Sequence, residues 1–146
     1  MLFRILKIIE AIDQHKPLDE DVGAWLKQGL LRCIRKGETL NSALNLYGMR
    51  DRYALWIRNK HLLKAWLLID PELTDWERSK ELHRQISIFQ MGRWQNVMFD
   101  KSPPKNLSET KKQIFFALQP FTVMPTTPKG IHSAVNSVRQ TFFTSS

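Results

Sequence analysis

The chain has few of the features that define several large protein classes. Its 146 residues include one cysteine, Cys33, which excludes an intramolecular disulfide framework and a zinc site built on cysteine ligands. No apolar run approaches the roughly 20 residues of a membrane-spanning helix. The N-terminal segment 1–15 has Arg4, Lys7 and Glu10 among its apolar residues and no cleavage site of small residues. We therefore expect no secretory signal and a cytoplasmic protein.

The common catalytic motifs are also missing. The sequence contains no glycine-rich phosphate loop, no His-Glu-x-x-His and no Gly-x-Ser-x-Gly. Its acidic cluster, residues 70–77, has simpler explanations than catalysis, because Asp70-Pro71 is typical of a turn and Asp75 and Glu77 suit the first turn of a helix. The four histidines are too far apart in sequence to chelate a metal from one helix: His15, His61, His83 and His132. We therefore expect a protein that is not an enzyme, with no cofactor and no metal.

Helical periodicity dominates the chain, and no segment has the alternation of a strand. Helices are predicted over 2–13, from about 19 to the cap at Gly37, over 40–47 and over 51–69. Further helices are predicted from the capping box at Thr74 to about Gly92, over 108–119, and from Pro128 to a C-terminal turn that includes Phe142. The pattern predicts an all-α protein, a compact bundle of six to seven helices.

The length of the chain suits a single helical domain, residues 1–146. A connector at 100–106 contains two prolines and permits a second interpretation. In that interpretation residues 1–99 form a main bundle and residues 107–146 form a looser C-terminal helical pair.

The net charge of +8 is concentrated in two parts of the chain. Residues 37–67 contain five cations and two acids, and residues 101–146 contain six cations and one acid. An excess of this kind favours a polyanionic partner, such as nucleic acid, an anionic membrane surface or an acidic protein. Basicity also aids solubility, so it does not choose among these partners.

Residues 40–59 resemble helix-turn-helix DNA-binding domains, in which the second helix lies in the major groove. Ala43 belongs to the first helix, Gly48 to the turn, and Ile57 to the second helix. Typical members have a small residue four positions before the turn glycine, whereas this chain has Leu44 there and its small residue one place earlier. The resemblance implies nucleic-acid contacts by side chains on the second helix: Arg50, Arg52, Arg58 and Asn59.

The alternative for this stretch is two core helices joined by a tight corner, with Arg50 and Arg52 as solvated charges in the turn. Tyr53 and Ile57 fall on one side of the second helix, while Leu55 and other apolar residues fall on the opposite side. A helix that is apolar on two sides usually crosses the middle of a bundle.

A second group of candidate contacts lies in the C-terminal third of the chain. These residues would bind backbone phosphates, which gives affinity without sequence choice and makes binding sensitive to salt. The group consists of Lys105, Lys111, Lys112, Lys129 and Arg139.

The leading hypothesis is a non-enzymatic nucleic-acid-binding protein, either a small regulator or a subunit of a nucleoprotein complex, that contacts DNA or RNA phosphates through basic residues. The alternative is a helical protein–protein interaction module, an adaptor or inhibitor, that engages an acidic or nucleic-acid-binding surface of a partner. The amphipathic N-terminal helix could dock on a partner or on a membrane surface, or complete the bundle of its own chain.

Overall fold

The computed structural model describes residues 2–144, with side chains from Leu2 to Gln140, and every regular element in that part of the chain is an α-helix. The predicted all-α class is confirmed. Eight helices are described, since two helices of a single turn each, α3 and α6, accompany six longer ones. They are α1 (Leu2–Asp13), α2 (Glu20–Lys36), α3 (Leu40–Ala43), α4 (Met49–Leu67), α5 (Asp75–Met91), α6 (Trp94–Val97), α7 (Glu109–Leu118) and α8 (Pro128–Thr144). Phe142, predicted on the last helix, lies outside the described side chains.

Local capping chemistry determines where most of these helices begin and end. Gly37 has φ 66°, in the left-handed region, and its N–H donates to the Cys33 carbonyl at the end of α2. The side chain of Thr39 accepts from the N–H of Ser42 at the start of α3. Thr74 and Glu77 form the predicted capping box of α5, each side chain accepting from the other residue's backbone N–H.

Contacts between Cα atoms group the chain into two units, Met1–Tyr53 and Ala54–Ser146. Helix α4 begins in the first unit and continues in the second. The predicted connector 100–106 lies inside the second unit.

The N-terminal unit has a small core between α2 and α3. Val22, Ala43 and Leu44 are buried there. A Cβ atom added at Gly29 would stand 1.9 Å from Cδ2 of Leu44, so only glycine permits this approach of α3 to α2. Helix α3 is shorter than the predicted 40–47, because Asn45 has a left-handed conformation, with φ 53°, that ends the helix before Gly48 turns the chain with φ 70°.

The C-terminal unit has a continuous core to which α4, α5, α6, α7 and α8 all contribute. Helix α4 buries Leu62, Leu63, Ala65 and Trp66 on one broad side of its C-terminal half, while Leu55 and Leu67 are exposed. Helices α7 and α8 pack against α5. The largest fully buried side chains of this core are Trp66, Phe115, Leu62, Leu82, Ile86, Ile114, Ile131 and Val135.

Candidate nucleic-acid interface

Cationic and aromatic side chains adjoin one another on α4. Trp56, Lys60 and Lys64 follow at intervals of four residues, which places them along one face of the helix. The ammonium nitrogen of Lys60 lies 5.0 Å from the centre of the Trp56 ring, within range of a cation–π interaction. None of the ion pairs among the described side chains involves Lys60 or Lys64. We call Trp56, Lys60, His61 and Lys64 the α4 cluster.

Helix α7 borders the α4 cluster through His61. The Nδ1 atom of His61 lies 2.7 Å from Oε1 of Gln113, and its ring centre lies 5.2 Å from that of Phe116. Because an amide oxygen accepts, this contact places the proton of neutral His61 on Nδ1. The polar side chain of Gln113 and the ring of Phe116 thus fix the orientation of the imidazole.

The electrostatics of the α4 cluster disfavour its positive charges. Burial lowers the pKa of Lys60, and the charge of Lys64 lowers it further. Burial also lowers the pKa of His61, and Lys64 and Lys60 add to that effect, while the hydrogen bond to Gln113 opposes it. Partial desolvation and the neighbouring like charges therefore both favour the neutral forms of Lys60 and His61. An anion bound at this surface would relieve both.

Two residues predicted from the helix-turn-helix resemblance, Arg58 and Asn59, are engaged inside the C-terminal unit. The guanidinium of Arg58 donates to the carbonyl of Val123, 65 residues away, and to the side-chain oxygen of Asn59. The amide nitrogen of Asn59 lies 3.3 Å from the hydroxyl of Ser137. Burial lowers the pKa of Arg58. These side chains fasten the loop before α8, and α8 itself, to α4.

Two of the predicted C-terminal cations have acidic partners. Arg139 pairs with Asp75 at 3.1 Å, and its guanidinium carbon lies 5.2 Å from the ring centre of Trp66. Lys112 pairs with Glu109 at 2.9 Å, one turn away on α7. Both charges are therefore offset within the protein before any ligand arrives.

The other predicted contacts are exposed, and they stand on different elements. Arg50 and Arg52 lie in the first turn of α4, in the part of that helix that belongs to the N-terminal unit. Lys105 lies between α6 and α7, Lys111 on α7, and Lys129 in the first turn of α8.

The sequence analysis named Arg58 and Asn59 on α4 but missed Lys60, His61 and Lys64. A usable signal was present, because Trp56, Lys60 and Lys64 repeat every four residues in a stretch without an acid from 52 to 69. The apolar residues on two sides of α4 indicated a buried helix, and a buried helix does not predict a cationic surface.

A serine and a histidine also meet in the C-terminal unit, at Ser79 and His132. The Ser79 hydroxyl lies 3.3 Å from Nδ1 of His132, accepts from the indole N–H of Trp66 at 3.2 Å, and donates to the backbone carbonyl of Asp75 at 2.9 Å. Ser79 is fully buried. Because its proton goes to a backbone carbonyl, this hydroxyl links α4, α5 and α8 and is not activated as a nucleophile.

The acidic cluster at 70–77 is occupied by structural contacts. The side chain of Asp70 accepts from the N–H of Glu72 at 2.9 Å, Glu77 completes the capping box, and Asp75 pairs with Arg139. Across the described residues, no group of three or more histidine, cysteine or acidic side chains is placed to hold a metal ion. Within residues 2–144, no helix combines the length and apolar character needed to cross a bilayer.

Comparison with known proteins gives no relative. No protein-family model matches the chain, and no significant match was found among curated proteins or among solved structures. The function proposed for this protein accordingly rests on its own residues and their geometry.

Proposed function

We propose that this protein binds nucleic acid without catalysing a reaction, and that the α4 cluster is its main contact with phosphates. It would act as a small regulator or as a subunit of a nucleoprotein complex. One observation carries the proposal. Lys60, which is partly buried, and the exposed Lys64 share a face of α4 beside His61, with no ion-pair partner among the described side chains.

This arrangement is unfavourable in the free protein and favourable once an anion is bound. Neighbouring cations repel each other, and burial removes part of the water that would stabilise them. A phosphate beside Lys60 and Lys64 replaces the repulsion with attraction. Binding also releases counterions from the nucleic acid, so the affinity falls as salt rises.

The available cations favour contacts with the phosphate backbone over base reading. Base recognition in the major groove depends heavily on the planar, bidentate fork of arginine. In the C-terminal unit Arg58 and Arg139 are already bonded to protein groups. Lys60 and Lys64 act as point charges, which position a nucleic acid without specifying its sequence.

The test is fluorescence anisotropy of labelled DNA and RNA 20-mers, single-stranded and duplex, over a salt series. The double variant Lys60→Ala/Lys64→Ala should bind at least about tenfold more weakly, with the salt slope reduced by about one per lost phosphate contact. The control, Lys27→Ala/Lys80→Ala, removes the same charge from exposed positions on α2 and α5 and should leave binding nearly unchanged.

Two results would contradict the proposal: no binding by the natural sequence at about 50 mM salt, where phosphate contacts are strong, or equal losses in the test and control variants. The second result would attribute binding to net charge alone.

An acidic protein surface is the second candidate ligand for the same cations. Helix α1 favours an interaction module as well, because none of its described residues is buried and Phe3, Ile9 and Ile12 are exposed. The distinguishing experiment is a pull-down after nuclease treatment. One stoichiometric protein partner, lost in Lys60→Ala/Lys64→Ala, would support this candidate, whereas loss of all material on nuclease treatment would support nucleic acid.

A further inference from the structure

The C-terminal unit exposes a stacked pair of aromatic rings. Phe99 is 85% exposed and Phe121 is 58% exposed, with ring centres 6.1 Å apart and ring planes inclined by 27°. The buried ring of Trp94 lies 5.9 Å from Phe121 and 5.6 Å from Phe115. The exposed pair is thus continuous with aromatic rings that reach into the core. Large apolar side chains grouped on a surface usually mark a binding site.

The backbone around this pair is anchored at several points. The side-chain amide of Gln119 donates to the Lys101 carbonyl at 3.2 Å, so segments 99–101 and 119–121 are joined by a hydrogen bond as well as by the ring stack. Beyond Phe121, the carbonyl of Val123 accepts from Arg58. The two rings are therefore presented by a fixed surface.

The same segment contains two features that are unfavourable for folding. Phe121 has φ 56°, a left-handed conformation that costs a bulky L-residue about 1–2 kcal/mol. The hydroxyl of its neighbour Thr122 is buried without a hydrogen-bond partner among the described residues. Such strain collects where the position of a side chain serves a function.

The charges around the rings identify the chemistry of the ligand. Lys101 and Asp100 are exposed and follow Phe99 directly, and Arg93, which precedes Trp94, is exposed and held by a 2.6 Å hydrogen bond to Asn106. Aromatic faces beside cations are the composition of single-strand binding surfaces, in which bases stack on the rings and phosphates meet the cations. A duplex keeps its base faces stacked inside and cannot use the rings in this way.

We propose that Phe99 and Phe121 form a stacking platform for unpaired bases, so that the ligand of this protein is single-stranded nucleic acid. The inference rests on the proposed function, since the α4 cluster supplies the phosphate contacts. Arg58 attaches α4 to the loop that follows Phe121, through its hydrogen bond to the Val123 carbonyl.

The test compares three probes: a 20-nucleotide dT strand, a 20-base-pair duplex and a 20-nucleotide abasic strand, which has the same phosphates without bases. Phe99→Ala should bind the dT strand about 5- to 100-fold more weakly and leave affinity for the abasic strand unchanged. Phe99→Trp should restore binding of the dT strand. The matched control is Val123→Ala, which removes an equally exposed apolar side chain, also 85% exposed, from the loop of Phe121 and should change nothing.

Because Phe99 is so exposed, Phe99→Ala should fold, and circular dichroism checks this. Equal affinity of the natural sequence for the dT and abasic strands, or unchanged binding of the dT strand by Phe99→Ala, would overturn the platform. If the natural sequence binds all three probes equally and Lys60→Ala/Lys64→Ala weakens them together, only the platform fails. If it binds none, the proposed function fails.

Discussion

The two units of this protein bury their helices to very different extents. In the N-terminal unit no described residue of α1 is buried, and α2 buries only Val22 and Gly29. In the C-terminal unit α4 and α5 each bury four residues. Yet α1 and α2 have the clearer division into an apolar and a polar side. A one-sided apolar pattern thus identifies a helix but not a covered face, and exposed apolar side chains, such as Leu67 on α4 and Ile88 on α5, weaken the pattern of a helix that is covered.

Ion pairs occur in both units, and Lys112–Glu109 and Arg139–Asp75 belong to the C-terminal one. In the N-terminal unit Lys7 pairs with Asp19 at 2.9 Å and Arg32 with Glu38 at 2.9 Å. In the C-terminal unit Lys60 and Lys64 lie on a helix held by the larger core and have no ion-pair partner among the described side chains. The proposal assigns the phosphate contacts to these two lysines because they lie on one face of a helix that the larger core supports.

The largest expected effect is a core truncation. Phe115→Ala removes a fully buried ring beside Trp94 and should lower the free energy of unfolding by about 3–5 kcal/mol. Phe3→Ala, on α1, should change it by no more than about 0.5 kcal/mol, because that ring is 48% exposed. Urea titration followed by circular dichroism measures both. Similar losses in the two variants would show that α1 is packed as tightly as the C-terminal core.

A smaller effect is expected from the polar contacts within the same core. Ser79→Ala leaves the indole N–H of Trp66 and Nδ1 of His132 without their partner and should cost about 1–3 kcal/mol. The control is Ser87→Ala on the same helix, whose hydroxyl donates only to the His83 carbonyl. It should cost less than about 0.5 kcal/mol. Equal costs by urea titration would mean that the Ser79 contacts contribute no more than a surface hydroxyl.

The close contact between Gly29 and Leu44 predicts opposite effects of two glycine substitutions on the free energy of unfolding. Gly29→Ala forces a methyl group onto Leu44 and should destabilise the protein by about 1 kcal/mol, despite the better helix propensity of alanine. Gly23→Ala, also on α2, meets nothing closer than 4.0 Å and should stabilise by up to about 1 kcal/mol. Hydrogen exchange of α2 amides follows both variants. Stabilisation by Gly29→Ala would show that Leu44 moves away without loss.

The smallest effect concerns an ion pair on α5. Hydrogen bonds from Arg84 and Gln85 lower the pKa of Glu81 to about 2. A carboxylate with a lowered pKa stabilises the fold above its unfolded pKa of about 4.3, and this contribution is lost as pH falls from there toward 2. Because Arg84 is exposed and solvent screens the pair, we expect no more than about 0.5 kcal/mol. Glu81→Gln should remove this part of the pH dependence of unfolding; an unchanged dependence would show that Glu81 contributes nothing.

The residues show which features of the fold were readable in the sequence. The cap at Gly37 and the capping box at Thr74 were predicted, because each acts on backbone groups within one turn. The contact between Gly29 and Leu44 was not, since neither residue reveals its neighbour on another helix.

The candidate site was readable only in part. The spacing of Trp56, Lys60 and Lys64 is local and could have been found. The hydrogen bond from Arg58 to Val123 joins residues that are 65 positions apart. Only the tertiary fold therefore shows that this cation is bonded within the protein. The exposed stack of Phe99 and Phe121 could not be predicted either, because aromatic composition does not tell which rings a fold leaves exposed.

The most direct test of the central claim is acetylation of lysines, read by mass spectrometry, with and without a 20-nucleotide dT strand at low salt. The lowered pKa of Lys60 keeps its amine reactive in the free protein. The account predicts that the strand protects Lys60 and Lys64 and leaves Lys16, Lys27 and Lys36 in the N-terminal unit unprotected. Protection confined to those N-terminal lysines, or absent from Lys60 and Lys64 while the strand is bound, would contradict it.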